Sequence, residues 1–225
     1  MSYGLSFVNN NDVVVLDSEF ARLVVVSSGT YLPNAEHGLG SIVAFPHVIT
    51  TQEPPLIFAR PDTSSGIAAI ASVIIGGSPG AWTGFSLRTR SVHFLRPSGR
   101  WFATVFQPTA TAPYGLRLWD GGARLLFDSG TPCALFSRAF ANWQYVKSEN
   151  LAIGYSNFYT VPFDFPENEY LMINNFSMNM VAGNNPGRML SSLWDFNARQ
   201  LWAVTTATSN PTAFYLPALF GKLST

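Results

Sequence analysis

Gly76-Gly77-Ser78-Pro79-Gly80 has the spacing of a Gly-x-Ser-x-Gly nucleophile elbow, in which a sharp strand-to-helix turn presents a serine oxygen for acyl transfer. The preceding run, Ala68 to Ile75, is strand-like, but Ala81-Trp82-Thr83-Gly84-Phe85-Ser86-Leu87 reads as a second strand and not as the required helix. The motif is therefore read as a glycine-rich hairpin turn. Asp164, Glu167 and Glu169 form the densest acidic group. Two carboxyls about 5–10 Å apart across a sugar cleft hydrolyse glycosides. Proximity along the Pro-bearing loop Phe-Asp-Phe-Pro-Glu-Asn-Glu-Tyr does not create that separation, and no EF-type spacing is present. A solvated loop is expected there, with a calcium-binding loop as the alternative.

His37, His47 and His93 are scattered and lack the i, i+4 spacing of a helical metal site. His93, between Val92 and Phe94, is expected on the polar face of a strand. Arg88, Arg90, Arg96 and Arg100 lie close together, and Arg88 and Arg90 would share one strand face. Such a cluster suits a phosphate or an acidic glycan. Its commoner role is a solvated sheet face, or ion pairs with a neighbouring subunit. Trp143, Tyr145, Tyr155, Phe158 and Tyr159 sit in a stretch rich in Asn, Ser and Gly, and these five are the candidate binding residues. Exposed rings stack on sugars or anchor a protein interface; core packing is the competing role.

These residues need elements to hold them, and composition says which kind. Of 225 residues, 47% are hydrophobic and 12% charged, a balance opposite to that of a disordered chain. Eighteen Phe, eight Tyr and six Trp give more aromatic surface than one chain of this size need bury, so part is expected between chains. Lys+Arg and Asp+Glu number 13 each, so the chain lacks the basic excess of a nucleic-acid binder. The single cysteine, Cys133, excludes an intrachain disulfide and a zinc site built on two cysteines. No cofactor and no metal are implied. The opening Met-Ser-Tyr-Gly-Leu lacks the basic and apolar regions of a signal peptide. No apolar run is long enough to span a bilayer, so no membrane insertion is expected.

Short β-branched and aromatic runs punctuated by Gly, Pro, Asn and Ser fill the chain: Val13-Leu16, Arg22-Val26, Leu56-Phe58, Ser72-Ile75 and Trp101-Phe106. Leu135, Ala139, Phe140 and Trp143 give roughly helical spacing, which predicts a short helix near Ala134 to Tyr145. The fold class is all-β, a β-sandwich.

An internal repeat organises the chain. Tyr3 to Ser18 aligns without gaps on Tyr114 to Ser129, with Tyr, Gly, Leu and the closing Asp-Ser identical and four apolar exchanges between them. Each copy reads as a β-hairpin, with Asn9-Asn10-Asn11 or Asp120-Gly121-Gly122 as its turn. Weaker echoes pair Leu56-Phe58 with Tyr170-Ile173, and Arg100-Ala103 with Gln200-Ala203. The preferred layout is two related β units, residues 1–108 and 114–225, joined by the linker-like Gln107 to Pro113; one large sandwich is the alternative.

The Tyr-Gly-Leu start, alternating strand, Asn/Asp-Gly turn and hydrophobic strand ending in Asp-Ser resemble small siphophage tail-tip and baseplate proteins, including those of Pseudomonas-type transposable phages. The resemblance covers the two hairpins and Glu19 to Tyr31. It implies a non-enzymatic component of a phage tail tip, located in the virion, assembled in the bacterial cytoplasm and homotrimeric. Its partners would be other tail-tip proteins and a glycan or protein of the host cell surface. It supplies no catalytic residues. A carbohydrate-binding module or lectin-like adhesin is the alternative function.

Overall fold

The computed structural model describes residues 6–8, 10, 14–17, 22–90, 93–108, 113–151, 154–176, 179–180, 188–207 and 215–223. It is an all-β protein of packed antiparallel sheets, as the turn-punctuated apolar runs predict. Two separate hairpins open the halves: β1 (Ser6–Val8) with β2 (Val14–Asp17), and β10 (Arg117–Trp119) with β11 (Leu125–Asp128). Ser6 pairs with Asp17 and Arg117 with Asp128, so the registers coincide at an interval of 111 residues (117 minus 6). The register shift also recurs in place, after Phe7 in one hairpin and after Leu118 in the other.

The central sheet has six strands in the order β12 (Ala134–Phe140), β19 (Ala218–Leu223), β15 (Tyr170–Met172), β5 (Leu56–Pro61), β9 (Gly99–Val105) and β3 (Val24–Tyr31). Its two outermost strands meet again. Val24 bridges Cys133, Val25 N donates to Pro132 O at 2.8 Å, and Ala134 N donates to Leu23 O at 3.0 Å. The sheet thus closes into a small barrel, three strands from each half. In so narrow a barrel the interior must be filled by side chains, and Leu23, Phe58, Phe102 and Tyr170 form that filling. Phe58 and Phe102 stack with centroids 4.6 Å apart. The space for both rings exists because Gly221 lies opposite; a Cβ there would stand 2.9 Å from Phe58 Cε1.

Two further sheets cover the barrel. One is β4 (Gly40–Ile49), β8 (Ala81–Arg88) and β7 (Ser72–Ser78). The other is β13 (Gln144–Leu151), β14 (Gly154–Pro162), β18 (Gln200–Ala207), β17 (Arg188–Asp195) and β16 (Asn179–Met180), with β6 (Ile67–Ile70) also paired to β17. Ile57, Trp101, Ala103, Leu171 and Phe220 on the outer barrel face join Phe45, Phe85, Tyr159, Leu201 and Trp194 in one continuous core. Trp101 links the layers, edge-on to Phe85 with centroids 5.1 Å apart.

The expected helix near Ala134 to Tyr145 is replaced by β12 and the start of β13. An isolated helix of that length is marginal. As strand, the segment gains a ladder with β19 and lodges Phe140 against Trp143 and Phe220. Of the two weaker echoes, Leu56-Phe58 and Tyr170-Ile173 occupy equivalent barrel strands, β5 and β15. Arg100-Ala103 and Gln200-Ala203 do not: they fall in β9 of the barrel and β18 of an outer sheet. The counterpart of β9 is β19.

Candidate interaction surfaces

The Gly76–Gly80 motif closes the β7–β8 hairpin: Gly76 to Ser78 end β7, Pro79 and Gly80 make the turn, Gly77 has φ +110° and no helix follows Ser78. Among the described residues no group of three or more His, Cys, Asp or Glu could hold a metal ion. His93 lies in a turn beyond β8 and not on a strand face. The four arginines do not form one patch. Arg88 ends β8 and pairs with Glu36. Arg90, past the strand, reaches across to Ser156 Oγ at 2.7 Å and lies over the Phe158 ring. Burial lowers the Arg90 guanidinium from its usual value, with Glu149 opposing the shift.

The acidic loop is taken up by cations. Glu169 is buried between Arg138 Nε at 2.8 Å and Lys222 Nζ at 3.7 Å, tying β12 to β19. Asp164 accepts from Arg138 Nη1 at 3.0 Å. Burial is the largest single influence and would raise the Asp164 carboxyl, but the Arg138 hydrogen bond, a backbone hydrogen bond and the charges of Arg138 and Arg199 together hold it below the usual carboxylate range.

The five aromatic candidates separate by burial. Tyr159 is fully buried, and Trp143 is buried with its Nε1 donating to Leu216 O at 2.8 Å. Phe158 is half-buried, with Lys147 Nζ 4.9 Å from its ring centroid. Tyr145 and Tyr155 remain exposed. Pairing of Tyr145 with Tyr159, Ser148 with Asn157 and Asn150 with Tyr155 puts both exposed rings on one face of β13–β14. Ser148 Oγ donates to Asn157 Oδ1 at 2.7 Å between them.

Comparison with protein-family models, curated proteins and solved structures finds no match for this chain.

Two surfaces stand out that the sequence reading did not single out. The first is the second hairpin. Its ladder joins no other sheet among the described residues, and Tyr114, Leu116 and Trp119 are exposed on and beside it. The hairpin is well made: Asp120 Oδ1 accepts the amides of Gly122 and Arg124, both at 2.9 Å, and Arg117 pairs with the buried Asp128. Its turn residue Arg124 flanks an apolar groove of about 670 Å³ at one end of the barrel, floored by Leu56, Val105 and the exposed Phe106. The repeat alignment carries a hint of this, since Trp119 stands where the first copy has Val8.

The second surface lies at the opposite end of the barrel. Arg60 of β5 and Arg100 of β9 are directly opposed across the ladder. Like charges in that position destabilise a sheet. No pattern within either strand reveals the pairing, because the residues are 40 apart (100 minus 60).

Proposed function

We propose that this protein is a non-enzymatic structural and attachment subunit that works by binding other proteins. The observation that supports this reading is the second hairpin. An independently hydrogen-bonded ribbon that exposes Trp119, with Leu116 and Tyr114 exposed beside it, gains from being covered. Trp and Tyr of this kind are the residues that dominate interface energetics. The neighbouring groove with Phe106 extends the same apolar surface. The likeness of the hairpins to siphophage tail-tip proteins supplies the setting: a virion component that contacts its own copies and other tail-tip proteins, with a host-surface ligand as a further partner.

Light scattering on the purified full chain at micromolar concentration tests the reading. A closed homo-oligomer, with trimer as the form the resemblance implies, is expected, and Trp119→Ser should shift it toward monomer. A monomer whose state ignores Trp119 would overturn it.

A further inference from the structure

Arg60 and Arg100 face each other at the barrel end beneath a polar depression of about 420 Å³, which is also lined by Asp62, Thr63, Ser64 and Glu167. Among the described residues, neither guanidinium has a carboxylate within hydrogen-bond distance. Arg100 stands 3.9 Å from Asp62 and 3.8 Å from Glu167, both exposed at the rim, and its Nε is buried without a hydrogen bond. Arg60 donates from all three nitrogens to backbone carbonyls, Nε to Pro166 at 3.1 Å, Nη1 to Pro61 at 3.2 Å and Nη2 to Phe165 at 3.2 Å, which leaves one further N–H on each terminal nitrogen. Burial first, and Arg100 second, lower the Arg60 guanidinium from its usual value.

The fold does not demand this arrangement. At the offset relating β5 to β15 (172 minus 58), the counterpart of Arg60 is Asn174. At the offset relating β9 to β19 (221 minus 104), the counterpart of Arg100 is Pro217. One half of the molecule thus carries an opposed arginine pair where the other carries no charge. The depression also continues into a second one of about 240 Å³, which shares Arg60, Thr63 and Ser64 and adds Phe165 and Phe196 together with Asp164 and Arg199. The two rings lie 4.6 Å apart, and Phe165 is held at φ +49°, a conformation costly for an aromatic residue. Arg60 clamps the strained turn through its carbonyl.

We propose that this end of the barrel binds an acidic saccharide. Its carboxylate sits between Arg60 and Arg100, accepting from the remaining terminal N–H groups of the two guanidiniums. The hydroxyls of Thr63 and Ser64 and the rim carboxylates of Asp62 and Glu167 take the sugar's hydroxyls. The half-buried rings of Phe165 and Phe196 meet its apolar face. The site rests on the attachment half of the proposed function and is separate from the hairpin.

Calorimetry and saturation-transfer NMR on the full chain, with D-galacturonate, D-galactose and inorganic phosphate as probes, test it. Galacturonate should bind at least about ten-fold more tightly than galactose, a difference of about 1.4 kcal/mol. Arg100→Gln should remove that preference, and Asp62→Asn, which deletes a competing carboxylate, should strengthen galacturonate binding. Arg60 is not the residue to change, because it holds the turn. Equal binding of galacturonate and galactose, or an Arg100→Gln protein that binds as the parent does, overturns the site. Phosphate binding as tightly as galacturonate overturns the saccharide class. Every readout is made on whatever oligomer forms, so failure here leaves the assembly reading standing, and the reverse.

Discussion

The amide of Ala134 donates to the carbonyl of Leu23 across the seam that closes the barrel, and these two residues are themselves repeat counterparts, 111 residues apart (134 minus 23). A residue that pairs with its own counterpart marks a two-fold axis. The same relation holds on the far side of the barrel, where Phe58 faces Met172, its counterpart at an interval of 114 residues (172 minus 58), across β5 and β15. The bulges agree as well, between Val25 and Ser27 in β3 and between Phe136 and Arg138 in β12, again 111 apart (136 minus 25). The barrel is an internal dimer fused on one chain.

The seam is short, so each of its bonds matters. Ala134→Pro removes the donor at the axis and leaves the Leu23 carbonyl unpaired in a buried strand pair, a loss of about 1–3 kcal/mol. Urea unfolding followed by tryptophan fluorescence checks it. An unchanged midpoint would show that the barrel does not depend on the seam.

Gly221 is expected to tolerate no side chain. Its Cβ would press on the buried ring of Phe58, which is fixed against Phe102. Gly221→Val should cost about 1–3 kcal/mol by overpacking. Pairing it with Phe58→Leu should recover part of the loss, and a double variant no more stable than the single one would argue against this cause.

Tyr31 makes alkaline stability a probe of the barrel edge. Burial first, and Asp62 second, push its hydroxyl far above the ordinary range, with Arg60 opposing. Below about pH 10 the folded and unfolded chains both keep the proton, and the group is silent. Above about pH 10 the unfolded chain releases it and the folded chain does not, so stability falls as pH rises. Tyr31→Phe should therefore flatten the stability profile from about pH 10 upward and leave it unchanged near neutrality. Profiles of equal slope above about pH 10 would count against it.

Trp119 should matter for association and not for folding. It is exposed and belongs to a ribbon whose buried apolar residue, among those described, is Leu126. Trp119→Ser is expected to move the melting temperature by no more than about 2 °C, since surface changes are usually within about 0.5 kcal/mol. Leu126→Ala, by contrast, should lower stability by about 2–5 kcal/mol as a buried deletion. A Trp119→Ser protein that unfolds as readily as Leu126→Ala would mean that the tryptophan supports the fold.

Much of this architecture is written in local pattern. The hairpins follow from Leu-x-apolar alternation and Asn- or Gly-rich turns, and the Gly76–Gly80 segment turns as five turn formers must. The Ala134–Tyr145 segment misleads because its apolar spacing suits either period, and the partner strand that decides the matter, Ala218–Leu223, lies some 80 residues away (218 minus 134). Of the five aromatic candidates, Trp143 and Tyr159 went to the core and Tyr145 and Tyr155 to the surface. Strand position sets that division, and no residue type announces it.

The sequence by itself determined the all-β class, the hairpins and the interval of the repeat. These depend on side-chain alternation and turn chemistry, which act over a few residues. Tertiary structure alone decided that the two halves share one closed barrel, that Arg60 meets Arg100, and that Trp119 stays in water. Those outcomes depend on register between strands far apart in the chain, and a shift of a single residue would turn every one of those side chains to the other face.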